Sequence, residues 1–522
     1  MKKALFFVLM CSSVFAQKYE TCILDGRIVD GAANPWYKAD LGINSGVISF
    51  IGKIDARDCK VLVDAQNNIV SPGFIDVHTH IESPIKVIPT ADNFIYDGVT
   101  SLITGNCGSS ELNLKSFFDT LTQIGITPNV GSFIGHNKVR AAVMKNVFRD
   151  PTEAEQMQME ALVEKGMRDG AVGLATGLIY IPGTYSKTPE VVGLAKVASK
   201  YGGIYASHIR DESHHVHDAI REAINIGREA DIPVEISHFK IAAKTAWGKS
   251  YETIGLVEDA RKEGIDVTVD QYPYTASSTN MGTLVPSWVH ADGDSAMNER
   301  LTIEASRKKI AKEMITGLKK DNRKDFSYAV IARFEPDASY NGKSISQINK
   351  DLGRKTNAET EAFLVMDLLK KGGAQMVFHK MDESDVVQIL KYPNTMIASD
   401  AGVYEFGKNM PHPRGYGTNA RVLSRYVREQ KVLNLEEAIR RMTSLPAQRI
   451  GLQNRGLLKV GFAADVVVFD ENIIEDKATF ESPHAYSEGF KMVMVNGKIV
   501  LQDGKTTNER PGVILYGKAK ID

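Results

Sequence analysis

Two histidines, two residues apart, close an apolar run in Pro72-Gly73-Phe74-Ile75-Asp76-Val77-His78-Thr79-His80. In an extended strand that spacing turns both imidazoles to one side, where they can share a metal ion. His208 and His238 repeat another arrangement, an apolar run, then Ser-His, then a charged loop: Tyr205-Ala206-Ser207-His208-Ile209-Arg210-Asp211-Glu212 and Glu235-Ile236-Ser237-His238-Phe239-Lys240. Cys107 follows a further apolar run, and Asp400 closes Met396-Ile397-Ala398-Ser399-Asp400-Ala401-Gly402. Imidazole favours Zn²⁺, whose catalytic sites use about three protein ligands and leave a position for water. A carboxylate at Asp400 is then placed to accept a proton from that water.

Six ligand-type residues so far apart in sequence need a scaffold that brings strand ends together. Eight apolar runs read as strands, at 74–77, 101–104, 129–134, 172–175, 203–207, 234–237, 266–270 and 395–399, and all six residues fall at or just past their C-terminal ends. Most are followed by helix-like stretches; 153–167 and 218–229 carry apolar residues at three-to-four spacing with charges between them. Strands alternating with helices predict an α/β protein with a parallel sheet, here a (β/α)8 TIM-like barrel over residues 71–452, whose active site lies at the strand C-termini. Short strands near both chain ends predict a small β-sandwich domain built from 17–70 and 453–522. The gap between strands seven and eight is about three times the usual unit, and 282–373 reads as an insertion, with a charged helical piece at 297–319.

The 522 residues are 43% hydrophobic and 24% charged, with 63 Lys+Arg against 64 Asp+Glu, as in a large globular enzyme with more than one core. That balance supplies no basic field for nucleic acid, so the expected partner is a small molecule. Lys2 and Lys3, the apolar run 4–10 and Val14-Phe15-Ala16 read as an export signal over residues 1–16, too short to span a bilayer, with cleavage expected after Ala16. This predicts a periplasmic protein with no stable membrane insertion. Cys11 leaves with the signal; in an oxidising compartment Cys22 and Cys59, flanking the first β-rich region, are open to pairing.

The residues at the strand ends resemble the amidohydrolase superfamily and, within it, the N-acyl-D-amino-acid deacylase (D-aminoacylase) family, over nearly the whole mature chain. The opening Pro-Gly-Phe-Ile-Asp-Val-His-Thr-His and Gly461-Phe462-Ala463-Ala464-Asp465 are general to the superfamily. Narrower marks are Thr104-Gly105-Asn106-Cys107-Gly108, Gly173-Leu174-Ala175-Thr176-Gly177-Leu178-Ile179-Tyr180, Ser207–Glu212, Gln271-Tyr272-Pro273-Tyr274 and His412-Pro413-Arg414-Gly415-Tyr416-Gly417-Thr418. Hydantoinase and dihydroorotase types bridge two metals with a carboxylated lysine on the fourth strand, where this chain has Gly173–Gly177 and no lysine.

The resemblance implies that Cys107 joins His208 and His238 as the tight Zn²⁺ site, with His78, His80 and Asp400 forming a second, weaker one. It implies hydrolysis of N-acyl-D-amino acids to a carboxylate and a free D-amino acid, with Asp400 as the proton carrier. Such substrates carry a carboxylate, which Arg414 can clamp bidentately with Lys240 on the same side. By resemblance Tyr180, Tyr272 and Ser278 also approach the substrate, with Tyr274 and Ser277 as alternative matches for the last two. The alternatives are a cyclic-amide hydrolase of hydantoinase or dihydropyrimidinase type, and a non-catalytic exported binding protein.

Overall fold

The structure, a computed structural model, describes residues 17–520; the export signal expected over 1–16 lies outside them. Eight parallel strands close into a barrel: Phe74–Asp76, Val99–Thr104, Asn129–Ser132 continued by Ile134–Gly135, Gly173–Gly177, Ile204–His208, Val234–Ile236, Val267–Gln271 and Thr395–Ile397. The third strand breaks at Phe133, so its two pieces pair with different neighbours. The first and eighth strands meet past their ends through the Thr79 to Ala401 bridge, and the buried Asp76 carboxylate accepts the Ser399 N–H.

The helices cover the barrel for reasons visible in their sequences. Val216–Ala230 buries Val216, Ala219, Ile220, Ala223, Ile224, Gly227 and Ala230, the three-to-four spacing of one helix face. Glu153–Asp169 starts at a capping box between Thr152 and Glu155 and stops at Gly170, whose φ of 113° suits a residue without a Cβ. Both begin or end within two residues of the sequence reading.

Strands from both chain ends build the expected β domain. Tyr19–Ile28 pairs with Tyr37–Asn44 on one edge and with Cys59–Asp64 and Ile69–Pro72 on the other, and Ile69–Pro72 pairs in turn with Val466–Phe469. Their strands join in one nine-stranded hydrogen-bonded path around a shared core of Ile23, Leu41, Ile43, Val466 and Met494. Cys22 and Cys59 form a disulfide across it, with Cα atoms 5.7 Å apart. Residues beyond Thr507 leave this sheet: Val130 N–H donates to Val513 and Leu515 N–H to Val130, and Leu515 packs with Val77, Phe133 and Ala206 inside the barrel. The tail thus belongs partly to the barrel, because its apolar residues fill the end remote from the histidines.

The insertion is a separate folding unit, wider than the expected 282–373. Ser277–Asn280 and Gln375–Phe378 pair antiparallel at its root, and Ala329–Arg333 completes a three-stranded sheet. Helices Glu304–Lys320, Ile345–Asp351 and Ala358–Lys370 cover that sheet around a core of its own, including Ile310, Met314, Ile331, Leu364 and Met376. The root strands escape sequence reading because Ser277-Ser278-Thr279-Asn280 carries no apolar alternation.

Candidate metal centre

The six ligand-type residues converge at the C-terminal mouth of the barrel. The Cys107 sulfur stands 3.4 Å from His78 Nε2, 3.5 Å from His208 Nδ1 and 3.6 Å from His238 Nε2. Two ligands each about 2.2 Å from a tetrahedral ion would stand about 3.5 Å apart, so these spacings fit a shared ion without rearrangement. His80 Nε2 lies 3.1 Å from Asp400 Oδ1, which is also 3.6 Å from His78 Nε2. Metal-competent groups are Cys107 with His208 and His238, His78 with His80 and Cys107, and His78 with His238 and Asp400. The two expected sites are therefore one continuous cluster with Cys107 between its halves.

The backbone pays a conformational cost here. Cys107, His238 and Asp400 have φ of 52°, 38° and 52°, the left-handed region that side-chain-bearing residues avoid. Each lies where a strand must turn abruptly to aim its side chain inward. Gly108, with φ of 73°, completes the turn after Cys107; a Cβ there would lie 2.0 Å from Asn137 Oδ1.

Charges on this cluster are mutually dependent. Burial alone would raise the Cys107 thiol, but His78 and His208 outweigh it and hold the thiol well below its ordinary range. Burial lowers His208. His80 is pushed up to about 10: burial opposes its protonation, and hydrogen bonding to Asp400 and Cys107 prevails. Asp400 stays ionised, because Arg414 and His80 outweigh the burial that would raise it.

A second layer of carboxylates fixes the imidazoles, as metal-ligating histidines require. His78 Nδ1 lies 3.2 Å from Asp270 Oδ2, and His238 Nδ1 lies 3.0 Å from Glu212 Oε1. In the sequence Glu212 stands within the Ser207–Glu212 motif with no role assigned to it, and Asp270 is not among the expected site residues. The signal for Glu212 was its place four residues after His208; Asp270 offered none beyond ending the seventh strand.

The expected substrate residues divide. Arg414, Tyr180 and Ser278 line a cavity of about 1430 Å³ that opens above His80, Cys107 and Asp400 between the barrel and the insertion. Arg414 is 3% exposed; its Nη1 lies 2.8 Å from Asp400 Oδ2, its guanidinium stacks 4.4 Å over the Tyr272 ring, and its Nε has no hydrogen-bond partner. The Tyr180 hydroxyl meets Thr279 at 3.0 Å, linking barrel and insertion. The Ser278 hydroxyl is turned onto its own hairpin, donating to the Met376 carbonyl. Lys240 and Tyr272 sit beneath the cavity instead. Lys240 Nζ is paired with Glu212 and stands 2.8 Å from His238 Nδ1, while the Tyr272 hydroxyl points to Met381 Sδ. Of the alternative matches, Tyr274 is farther off, stacked under Arg421, and the buried Ser277 hydroxyl has no partner. His136 is buried against Glu190 at 2.8 Å, away from the ligands.

The fourth strand ends tightly against the loop that carries Cys107. A Cβ on Gly177 would lie 2.2 Å from the Cys107 carbonyl oxygen, so the loop carrying Cys107 occupies the space above that strand. Barrel and cluster together define the class, a metal-dependent amidohydrolase acting on amide bonds. The chain matches the Amidohydrolase family over residues 289–501. It is 33% identical to a D-aminoacylase of Alcaligenes xylosoxydans xylosoxydans, over 96% of this chain and 98% of that one. An N-acyl-D-glutamate deacylase of the same organism is 32% identical over 97% and 98%. Among solved structures, a D-aminoacylase with a binuclear metal centre superposes with a TM-score of 0.82 at 31% identity, over 95% of this chain and all of the other. The N-acyl-D-glutamate deacylase of Bordetella bronchiseptica, complexed with zinc and a phosphonate mimic of the tetrahedral intermediate, gives 0.82 at 32%, over 96% and 100%. The chain belongs to the D-aminoacylase family. A D-hydantoinase, at 15% identity and a TM-score of 0.58 over 96% of this chain, shares the fold alone.

Proposed function

We propose that this protein hydrolyses N-acyl-D-amino acids to a carboxylate and a free D-amino acid, using one zinc ion held tightly by Cys107, His208 and His238. A second, weaker position is formed by His78, His80 and Asp400. Held by Cys107, His208 and His238, zinc would supply Lewis-acid polarisation of the amide carbonyl and a more acidic water. Arg414 is the observation that carries the reading: a guanidinium that lines the cavity beside the ligand cluster, next to Asp400, fits the substrate carboxylate. Asp400, kept ionised by Arg414, accepts a proton from the attacking water and delivers it to the nitrogen of the breaking C–N bond. Tyr180 contributes a hydroxyl to the cavity wall, and Ser278 lines the same wall through its backbone. Lys240 acts from below, balancing Glu212 beneath His238.

The D configuration rests on the relatives named above. The test is a matched panel of N-acetyl-D- and L-amino acids and hydantoins, with zinc measured on the same protein. Deacylation of D substrates with about one zinc per chain is expected. Ring opening without deacylation, or strict L preference, overturns the reading.

We also propose export to the periplasm, supported by the apolar leader after Lys2 and Lys3 and by the Cys22–Cys59 disulfide, a bond of oxidising compartments. Among the described residues no helix is long and apolar enough to cross a membrane. Cell fractionation with amino-terminal sequencing tests this; a mature chain starting at Gln17 is expected, and an intact leader on cytoplasmic protein refutes it.

A further inference from the structure

Arg414 is only as good a clamp as the backbone that carries it. Its own N–H donates to His412 Nδ1 at 3.0 Å, and His412 Nε2 faces the Ala276 carbonyl at 2.9 Å. A nitrogen that accepts from an amide carries no proton, and a nitrogen facing a carbonyl must donate. The two contacts together therefore define a neutral imidazole with its hydrogen on Nε2. His412 is 1% exposed and wedged between Tyr274 and Phe480, with ring centroids 5.2 and 5.0 Å away.

The two ends of that imidazole belong to different units of the fold. Arg414 opens the helix Arg414–Arg421 beyond the eighth strand. Ala276 directly precedes Ser277–Asn280, the root strand of the insertion. Arg414 grips the same segment again, through Nη2 to the Ser278 carbonyl at 3.4 Å. Among the described residues, His412 is thus the side chain that joins the backbone of the clamp to the root of the insertion roofing the cavity.

We infer that His412 is a positioning residue for substrate-carboxylate recognition, holding Arg414 and the insertion root in one register so that the clamp and cavity wall present a single geometry. The inference rests on the proposed reading of Arg414 as the carboxylate clamp. A wholly structural histidine would affect all substrates alike; a positioning one acts most on those with a carboxylate.

The experiment compares wild type, His412→Ala, His412→Asn and His412→Gln as zinc-loaded protein on an N-acetyl-D-amino acid and on its carboxamide. Hydrogen exchange is followed at the Arg414 amide in parallel. For His412→Ala a rise in KM of about tenfold or more on the acid is expected, with kcat changed less and a clearly smaller loss of kcat/KM on the carboxamide, which still depends on the Arg414–Asp400 pair. His412→Asn, which keeps an acceptor near the Arg414 N–H, restores KM. His412→Gln, which reaches Ala276 but not that N–H, does not restore it. Equal losses on acid and carboxamide, or an unaltered KM in His412→Ala, overturn the inference. If His412→Ala does not fold, the Asn and Gln variants decide it, equal KM values being the refuting result. If wild type cleaves no N-acyl-D-amino acid, the proposed function falls, and the exchange data still judge His412: fast Arg414 exchange in the Gln variant supports its grip on the clamp, and unchanged exchange refutes it.

Discussion

Replacing Asp400 by Asn separates the role of proton carrier from that of metal ligand. The substitution preserves shape, and Asn tolerates the left-handed backbone at φ 52°, where Ala would add about 1 kcal/mol of strain. What disappears is the charge that faces Arg414 at 2.8 Å and His80 at 3.1 Å. A positioned general base contributes about 10² to 10⁴ in rate, which at about 1.4 kcal/mol per decade is roughly 3–5 kcal/mol of barrier. Stability also falls, by up to about 3–5 kcal/mol, because Arg414 is left buried and unpaired. A zinc ion held by Cys107, His208 and His238, as proposed, would not draw on Asp400, so the zinc content is expected to stay the same. The assay is kcat on an N-acetyl-D-amino acid per mole of zinc, with thermal unfolding followed on the same sample. A kcat within tenfold of wild type refutes Asp400 as the base; loss of the zinc would show that its main role is ligation.

Three further outcomes follow from local geometry. Gly108→Ala places a methyl group against Asn137 and demands a left-handed alanine beside Cys107, so zinc content and activity should fall together; wild-type zinc content would show that this turn does not position the thiolate. Chelation should expose Cys107, the free cysteine among the described residues, to alkylation even at about pH 6, because its thiol lies well below the ordinary range; zinc-loaded protein should resist, and equal reactivity in both states would contradict its role as ligand. Replacing Cys22 and Cys59 together by Ser should lower unfolding stability by about 2–4 kcal/mol, the disulfide closing a segment of 37 residues, with kcat unchanged because the bond lies in the terminal sheet; a variant as stable as wild type would dismiss the bond as a stabilising element.

The barrel was legible because its signal is local. Each strand is an apolar run and each ligand ends one, so the placement of His78, His80, Cys107, His208, His238 and Asp400 needed only the parallel topology. The insertion was legible as an excess of length, but its hydrophilic root strand Ser277–Asn280 pairs with Gln375–Phe378 almost a hundred residues on, and nothing nearby marks that pairing. The tail read as more sheet because its apolar residues look the same whether they cover a sheet or plug a barrel.

Residue types and their order along the chain thus determined the fold class, the metal-binding character and the exclusion of a fourth-strand lysine. Tertiary structure decided how those residues are tuned. Asp270 stands 192 positions from His78 and His412 136 from Ala276, so their hydrogen bonds exist only once the strands have closed. It also decided that Lys240 pairs with Glu212 below the site while Arg414 lines the cavity beside Asp400. Both cations are buried and both face a carboxylate, Lys240 with Glu212 and Arg414 with Asp400; what separates them is that Arg414 lines the cavity and Lys240 does not, a difference of position that residue type cannot reveal.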